Sequence, residues 1–312
     1  MLRLTRVQQF QRAVQAIFGL IIINLLFLVL SPTYRQIGNF QTIFAQATVL
    51  GIMASGSTIV LISGGLDLSV GSLLTLTSVL VGTFLLWEYP VWLCVLLGLL
   101  IATGWGLVNG LIVIGTGIPP FIVTLGMMMV LRGFAEITAA GKDMSSFPRS
   151  FRLLGSGYII PVLIMALVYS FTTLFLSRTK MGFYAYAIGG NPEVARLAGI
   201  RVNRLRLLYY ALGGFMAGLA AVVLTARLNF ANSTFGQGME LNAIAAAVIG
   251  GTSLSGGVGG ALRTIVGVLI MTCLSAGLSH LGIGSSWQRV AIGIIIILAV
   301  WFDTLQRRRV LQ

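Results

Sequence analysis

The sequence predicts an all-α integral membrane protein of about ten transmembrane helices, some of them interrupted. Three observations carry that expectation. Of 312 residues, 57% are hydrophobic and 9% charged, and the mean hydropathy of +0.98 is far above that of a soluble globular domain. Apolar runs of roughly 20 residues, the length that crosses a hydrocarbon core at about 1.5 Å per residue, recur along the chain. Glycine- and serine-rich stretches cut into those runs, at "ISGGLDLSVGS" (62–72) and "GGTSLSGG" (250–257).

Taken in order, the runs predict spans at 13–31, 41–62, 67–86, 91–114, 118–139, 158–176, 207–227, 241–256, 260–281 and 286–303. The first lacks a small-x-small cleavage site and is longer than a signal core, so it reads as a retained helix. The eighth is short and runs into a glycine-rich break. The whole of 1–312 reads as one membrane domain. Its longest inner loop is 177–206, and its longest outer segments are 141–157 and 227–240.

The net charge of +13 follows membrane orientation rather than a nucleic-acid footprint, because the arginines are scattered around apolar spans. An even number of spans with both termini inside gathers twelve basic residues there: Arg3, Arg6, Arg12, Arg178, Lys180, Arg196, Arg201, Arg204, Arg206 and Arg307 to Arg309. Arg35, Lys142, Arg149 and Arg152 are left outside. Cys94 and Cys273 stand singly in apolar runs and read as small packing residues, not as a metal or disulfide framework. No phosphate loop, nucleophile elbow or metal box occurs, so the chain is expected to be no enzyme and to hold no cofactor or metal of its own.

The two interruptions echo each other. At an offset of 186, Gly64, Gly65, Leu68, Ser69 and Gly71 match Gly250, Gly251, Leu254, Ser255 and Gly257, five of eight positions. Repeated transporter halves set broken helices at matching places beside the substrate path, although glycine and serine are also common in membrane helices. At the first break, Gly64 and Gly65 are expected to end one helix, with Asp67 or Ser69 capping the next. Asp67 then either caps only, or caps and lines a water-filled passage. The residues assigned to that passage are Gly64, Gly65, Asp67, Ser69, Gly71, Ser72, Asn109, Asn242, Gly250 and Gly251.

Other polar groups within spans have two uses. Gln46, Asn109, Thr124 and Asn242 can bind a polar solute or a neighbouring helix. Arg132 and Glu136, four apart, are placed to neutralise each other, and His280 reads as an interface residue.

In the inner loop, "YAIGGNPEVARLAGIRVNR" predicts a short capped helix. Asn191 suits the N-cap, Pro192 the first turn and Glu193 the positive helix end, while Gly199 closes the helix after Leu197. Val194, Ala195, Leu197 and Ala198 give it an apolar side, and Arg196 is free to reach an acidic partner. Such a helix either rests on the membrane surface or docks on another protein.

The stretches "SGGLDLSVGS", "IPPFIVTLGMMMVLRG", "YAIGGNPEVARLAGI" and "LNAIAAAVIGGTSLSGGVG" resemble, in order and spacing, the permease subunits of ribose-type simple-sugar ABC importers. That family includes ribose, xylose, galactose and autoinducer-2 permeases. The resemblance implies a bacterial inner-membrane permease that pairs with itself or a sister permease, beneath a periplasmic or surface sugar-binding protein. Two partner ATPase domains would bind ATP and Mg. It also implies that Gly189, Gly190, Asn191, Pro192, Glu193, Arg196 and Gly199 form the ATPase-coupling segment, and that the interrupted motif from Gly64 to Ser72 lies beside the translocation path. Replacing Glu193 or Gly190 is then expected to uncouple transport from ATP hydrolysis. A rival reading is an ion-driven secondary transporter using Asp67, Glu136 or Glu240, and a structural scaffold is a third.

Overall fold

The computed structural model describes the backbone from Arg6 to Leu311 and the side chains of residues 16–298 and of Trp301. The basic residues expected near the chain ends, Arg3, Arg6, Arg12 and Arg307 to Arg309, lie outside the described side chains.

Helices account for nearly every element. In order they are α1 (Arg6–Leu30), α2 (Ile37–Ile62), α3 (Val70–Leu86), α4 (Val91–Thr116), α5 (Pro120–Ala139), α6 (Arg149–Arg152), α7 (Ile159–Arg178), α8 (Lys180–Gly190), α9 (Pro192–Leu197), α10 (Val202–Leu228), α11 (Met239–Ile249), α12 (Ala261–His280) and α13 (Ser285–Leu311). Among the described residues six helices, α2, α4, α5, α7, α10 and α12, are long and apolar enough to cross a membrane. Four shorter apolar helices cover Ala16–Leu30, Val70–Leu86, Met239–Ile249 and Ser285–Leu298. The chain is thus a multi-pass helical membrane protein.

The centre of the bundle is α2, 94% buried over its most apolar stretch, against 22% for the peripheral α4. Helix α10 packs on both α2 and α4. Small residues at four-residue spacing make that contact close: Gly98, Ala102, Gly106 and Gly110 on α4 meet Tyr210, Gly214 and Gly218 on α10. A methyl group on Gly106 would strike the Tyr210 carbonyl. Lipid supplies no hydrophobic drive between helices, so backbone proximity of this kind is what van der Waals packing needs.

The segments 141–157 and 227–240, expected as outer loops, meet in a small sheet. Strand β1 (Met144–Ser145) pairs antiparallel with β2 (Phe230–Ala231), and the Asn229 carboxamide accepts from the Phe147 amide at 2.9 Å. From there the chain descends along α3. Ala231 packs at Gly82, the Phe235 carbonyl accepts from the Thr75 hydroxyl, and Glu240 lies on Gly71. Helix α11 spans only 11 residues, about 16 Å.

The eighth expected span, 241–256, is corrected accordingly: its helix stops at Ile249. Gly251 takes a left-handed φ of +87°, its amide bonding Val248 while the Thr252 amide bonds Ala247. These are the two bonds of a Schellman stop. The third span begins three residues late, at Val70, because Asp67 to Ser69 form a turn. The inner loop 177–206 also holds more than one helix, since α8 precedes α9.

His280 ties the end of α12 to the start of α2, its Nε2 2.8 Å from Asn39 Oδ1 and its Nδ1 3.1 Å from Thr33 Oγ1. Cys94 and Cys273 are buried free thiols. Arg132 and Glu136 form no ion pair; Arg132 acts electrostatically on Glu240 instead.

Candidate functional site

Helix α2 ends as α11 does. Gly64, at φ +78°, donates to Leu61 at 2.9 Å and Gly65 donates to Val60 at 3.0 Å. The left-handed glycines are thus Gly64 and Gly251, one residue out of step with the sequence echo. Past the stop the echo holds in register. Asp67 Oδ1 accepts from the Ser69 amide at 2.8 Å, and 186 residues on Ser253 Oγ accepts from the Ser255 amide at 3.2 Å. The matched Leu68 and Leu254 pack on one cluster with Leu61, Ile244 and Val248. Asp67 and Ser253 therefore build the same side-chain turn twice.

The capping expected of Asp67 or Ser69 takes a different form. Ser69 is the N-cap of α3 but makes no side-chain cap bond. Its hydroxyl donates to Asp67 Oδ1 at 2.6 Å and accepts from Asn109 Nδ2 at 2.7 Å, so it is turned toward those side chains and not toward the helix amides. Asn109 Nδ2 also lies 3.5 Å from both Asp67 oxygens. The three side chains are buried, as is Ser72. Tyr210 donates its hydroxyl to the Leu66 carbonyl, and the Thr124 hydroxyl, which donates to Pro120 at 2.9 Å, lies 3.3 Å from the same oxygen. A buried carboxylate is costly unless it is hydrogen-bonded, and this shell supplies the bonds.

The two breaks meet each other. The Gly257 amide donates to the Ile62 carbonyl at 2.9 Å. Gly189, from the end of α8, fits between them so tightly that a methyl group there would strike the Ile62 carbonyl. One on Gly256 would lie 2.8 Å from the Gly64 Cα, and one on Gly257 3.0 Å from the Gly190 Cα. Five glycines thus let three stretches of backbone touch at one junction. Gly250 faces the first turn of α12, where a methyl group would lie 2.7 Å from the Thr264 Cα.

The inner loop reaches that junction as a rigid piece. Thr179 caps α8 by accepting from the Gly182 amide at 3.0 Å. Ala185 and Ile188 face inward, and Tyr186 donates to the Gly259 carbonyl at 3.2 Å. Burial holds the Tyr186 phenol above its ordinary pKa, against a smaller opposing pull from Arg263, so it stays a neutral donor.

Helix α9 follows directly. Asn191 accepts from the Glu193 and Val194 amides at 3.0 and 3.1 Å, Pro192 opens the helix, and Gly199 at φ +79° ends it. The Gly199 amide bonds Arg196 and the Ile200 amide bonds Ala195, a third Schellman stop. Arg196 pairs with Glu193 at 2.5 Å rather than pointing free. The apolar side divides: Ala195 is buried, while Val194 is exposed and Leu197 is 89% exposed.

Sequence reasoning missed α8 and the glycine contacts. The signal for α8 was available in "TKMGFYAYAIGG", where Thr179 stands as an N-cap before an apolar run.

The family model described as "Branched-chain amino acid transport system / permease component" matches residues 39–300. The ribose import permease protein RbsC of Bacillus subtilis is 38% identical over 291 residues, covering 91% of this chain and 90% of that protein. RbsC of Escherichia coli K12 is 38% identical over 297 residues, covering 93% and 92%. The fructose import permease protein FrcC of Rhizobium meliloti is 33% identical over 317 residues, covering 96% and 88%. No solved structure matches. The chain, a transport component rather than an enzyme, belongs to the branched-chain amino acid transport system / permease component family.

Proposed function

We propose that this chain is the membrane permease subunit of an ABC importer that carries a simple sugar of pentose or hexose size inward. A separate ATPase energises it, and a sugar-binding protein delivers the solute. The single observation that carries the reading is the junction of Gly64, Gly189, Gly190, Gly256 and Gly257, which joins the root of α9 to both interrupted helices. A push on α9 is delivered to the breaks through backbone, without a flexible side chain between. Linkage requires that the ATP-bound partner hold α9 differently from the ATP-free one. The exposed Val194 and Leu197 are the surface it would grip. The names of the relatives, import permeases for ribose, fructose and galactose, favour this reading over an ion-driven transporter.

Ten crossings with both termini inside fit the proposal. The eighth would be made by the descending segment 231–238 together with α11. Helices α2 and α11 would then enter from outside and break near the inner face. The chain would work as a dimer, alone or with a sister permease, in a bacterial inner membrane. ATP and Mg would sit in the partner.

Co-purification tests it. The wild-type chain is expected to retain its ATPase in detergent, and Leu197→Asp to lose most of it while folding normally. Equal retention by both would contradict the docking role of α9.

A further inference from the structure

Four polar side chains within the spans were open between solute and helix contacts, and the structure separates them. Asn109 and Thr124 spend their donors inside the protein. Gln46 and Asn242 do not. Together with Ser275, their side chains have no hydrogen-bond partner among the described residues, although all three lie on apolar helices. They converge on one cavity of about 170 Å³ between α2, α11 and α12. Thr272 adds a hydroxyl that already donates to the Val268 carbonyl and keeps an acceptor free. Met239 and Met271 complete the wall, and none of the residues lining the cavity carries a charge.

The depth of this cavity is fixed by the helices around it. Thr58 on α2 bonds Thr264 on α12 at 2.9 Å, and Gly267 packs on Ala246 of α11. The three helices are therefore in register, and Thr272 lies about 16 Å up α12 from its start near the glycine junction, at roughly 1.5 Å per residue. That is close to the middle of a hydrocarbon core about 30 Å thick. Unpartnered amides and hydroxyls are not left facing lipid there; they face water, a solute or another protein.

We infer that Gln46, Asn242, Thr272 and Ser275 form a mid-membrane contact site for a neutral polyhydroxylated solute on its way through the permease. The inference rests on the function proposed above and deepens it. Carboxamides donate and accept at once, and hydroxyls do the same, so the set pairs with the hydroxyl groups of a sugar in either role. The methionine side chains offer a soft apolar surface to the C–H face of a ring. A charged solute finds no counter-ion. Two of the three walls, α2 and α11, end at the breaks that meet Gly189, so movement at the junction moves the site.

The test uses vesicles holding the chain with its ATPase and binding protein, and ribose, fructose and galactose as probes. Wild-type vesicles must first take up one of them on ATP; if none is taken up, the proposed function fails, and this inference with it. With uptake in hand, Gln46→Leu combined with Asn242→Leu is expected to reduce it at least tenfold, with a raised KM, while the ATPase still co-purifies. Uptake within twofold of wild type overturns the site. A second variant guards against misfolding. In a Cys273→Ala background, Asn242→Cys is expected to react with a small water-soluble thiol reagent, and the transported sugar to slow that reaction. Reaction unaffected by sugar overturns the proposal. So does loss of the permease dimer in the double variant, which would make this face an interface between copies.

Discussion

The amide of Gly257 donates to the carbonyl of Ile62 at 2.9 Å, across 195 positions of sequence, and so fastens the two interrupted helices together at their breaks. Gly189 fills the remaining space. The breaks are held in contact, and Gly189 of the inner loop packs against both.

Substitution at the junction tests its tightness. Gly189→Ala puts a methyl group onto the Ile62 carbonyl, a backbone atom that cannot turn away. Overpacking of this kind costs about 1–3 kcal/mol. The expected result is a lower unfolding temperature in detergent and a loss of ATP-driven uptake larger than the loss of folded protein. Gly104→Ala, with nothing near it, is the control expected to change neither.

Asp67 separates a structural carboxylate from a chemical one. In Asp67→Asn the remaining carbonyl oxygen still accepts from Ser69, and Asn109, whose Oδ1 has no partner, can turn to accept from the new amide. Uptake within about threefold of wild type is expected, since the hydrogen-bond count is kept. Asp67→Ala strands buried donors and is expected to cost about 2–5 kcal/mol, read as loss of folded yield. Abolished uptake by a stably folded Asp67→Asn would instead mark an ion-coupling residue.

The loop helix makes a graded prediction. Glu193 and Arg196 form an exposed pair, worth about 0–1 kcal/mol. Glu193→Gln is therefore expected to leave stability within about 0.5 kcal/mol, so that any drop in uptake per ATP hydrolysed reports on docking. Asn191→Ala removes two bonds to helix amides and is expected to destabilise α9 by about 1 kcal/mol. Hydrogen exchange at Val194 and Ala195 measures it.

The crossing of α4 and α10 leaves no room for a side chain at Gly106. Gly106→Leu drives a side chain into the Tyr210 carbonyl and the Gly214 backbone. Loss of folded permease is expected, read by size-exclusion chromatography. The same change at Gly126, with nothing within reach, is expected to be tolerated.

The parts of this structure legible in the sequence are those set by local rules. Apolar runs locate the helices, and Gly64, Gly199 and the Asn191–Pro192 pair mark stops and starts because each satisfies its own backbone neighbours. The stretches that hold the Asp67 and Ser253 turns were visible as an echo, but the turns themselves were not. What escaped depended on residues far apart in sequence. A glycine announces that backbone can approach, but not which backbone, so the meeting of Gly64, Gly189 and Gly257 was hidden. Asp67 looked like a cap because its partner Asn109 lies 42 positions away. The eighth span was legible as short and broken by glycine, but its end was set at 256 because no local signal chose Gly251, among the four glycines from 250 to 257, as the residue that turns the chain.

Solute accumulation in reconstituted vesicles is the most direct trial of the central claim, that the chain supplies a gate and draws its power through α9. Vesicles with the chain, its ATPase and its binding protein are expected to concentrate sugar only when ATP is present, with no effect of a protonophore. Uphill uptake by the chain alone, collapsing when the protonophore is added, would contradict the account.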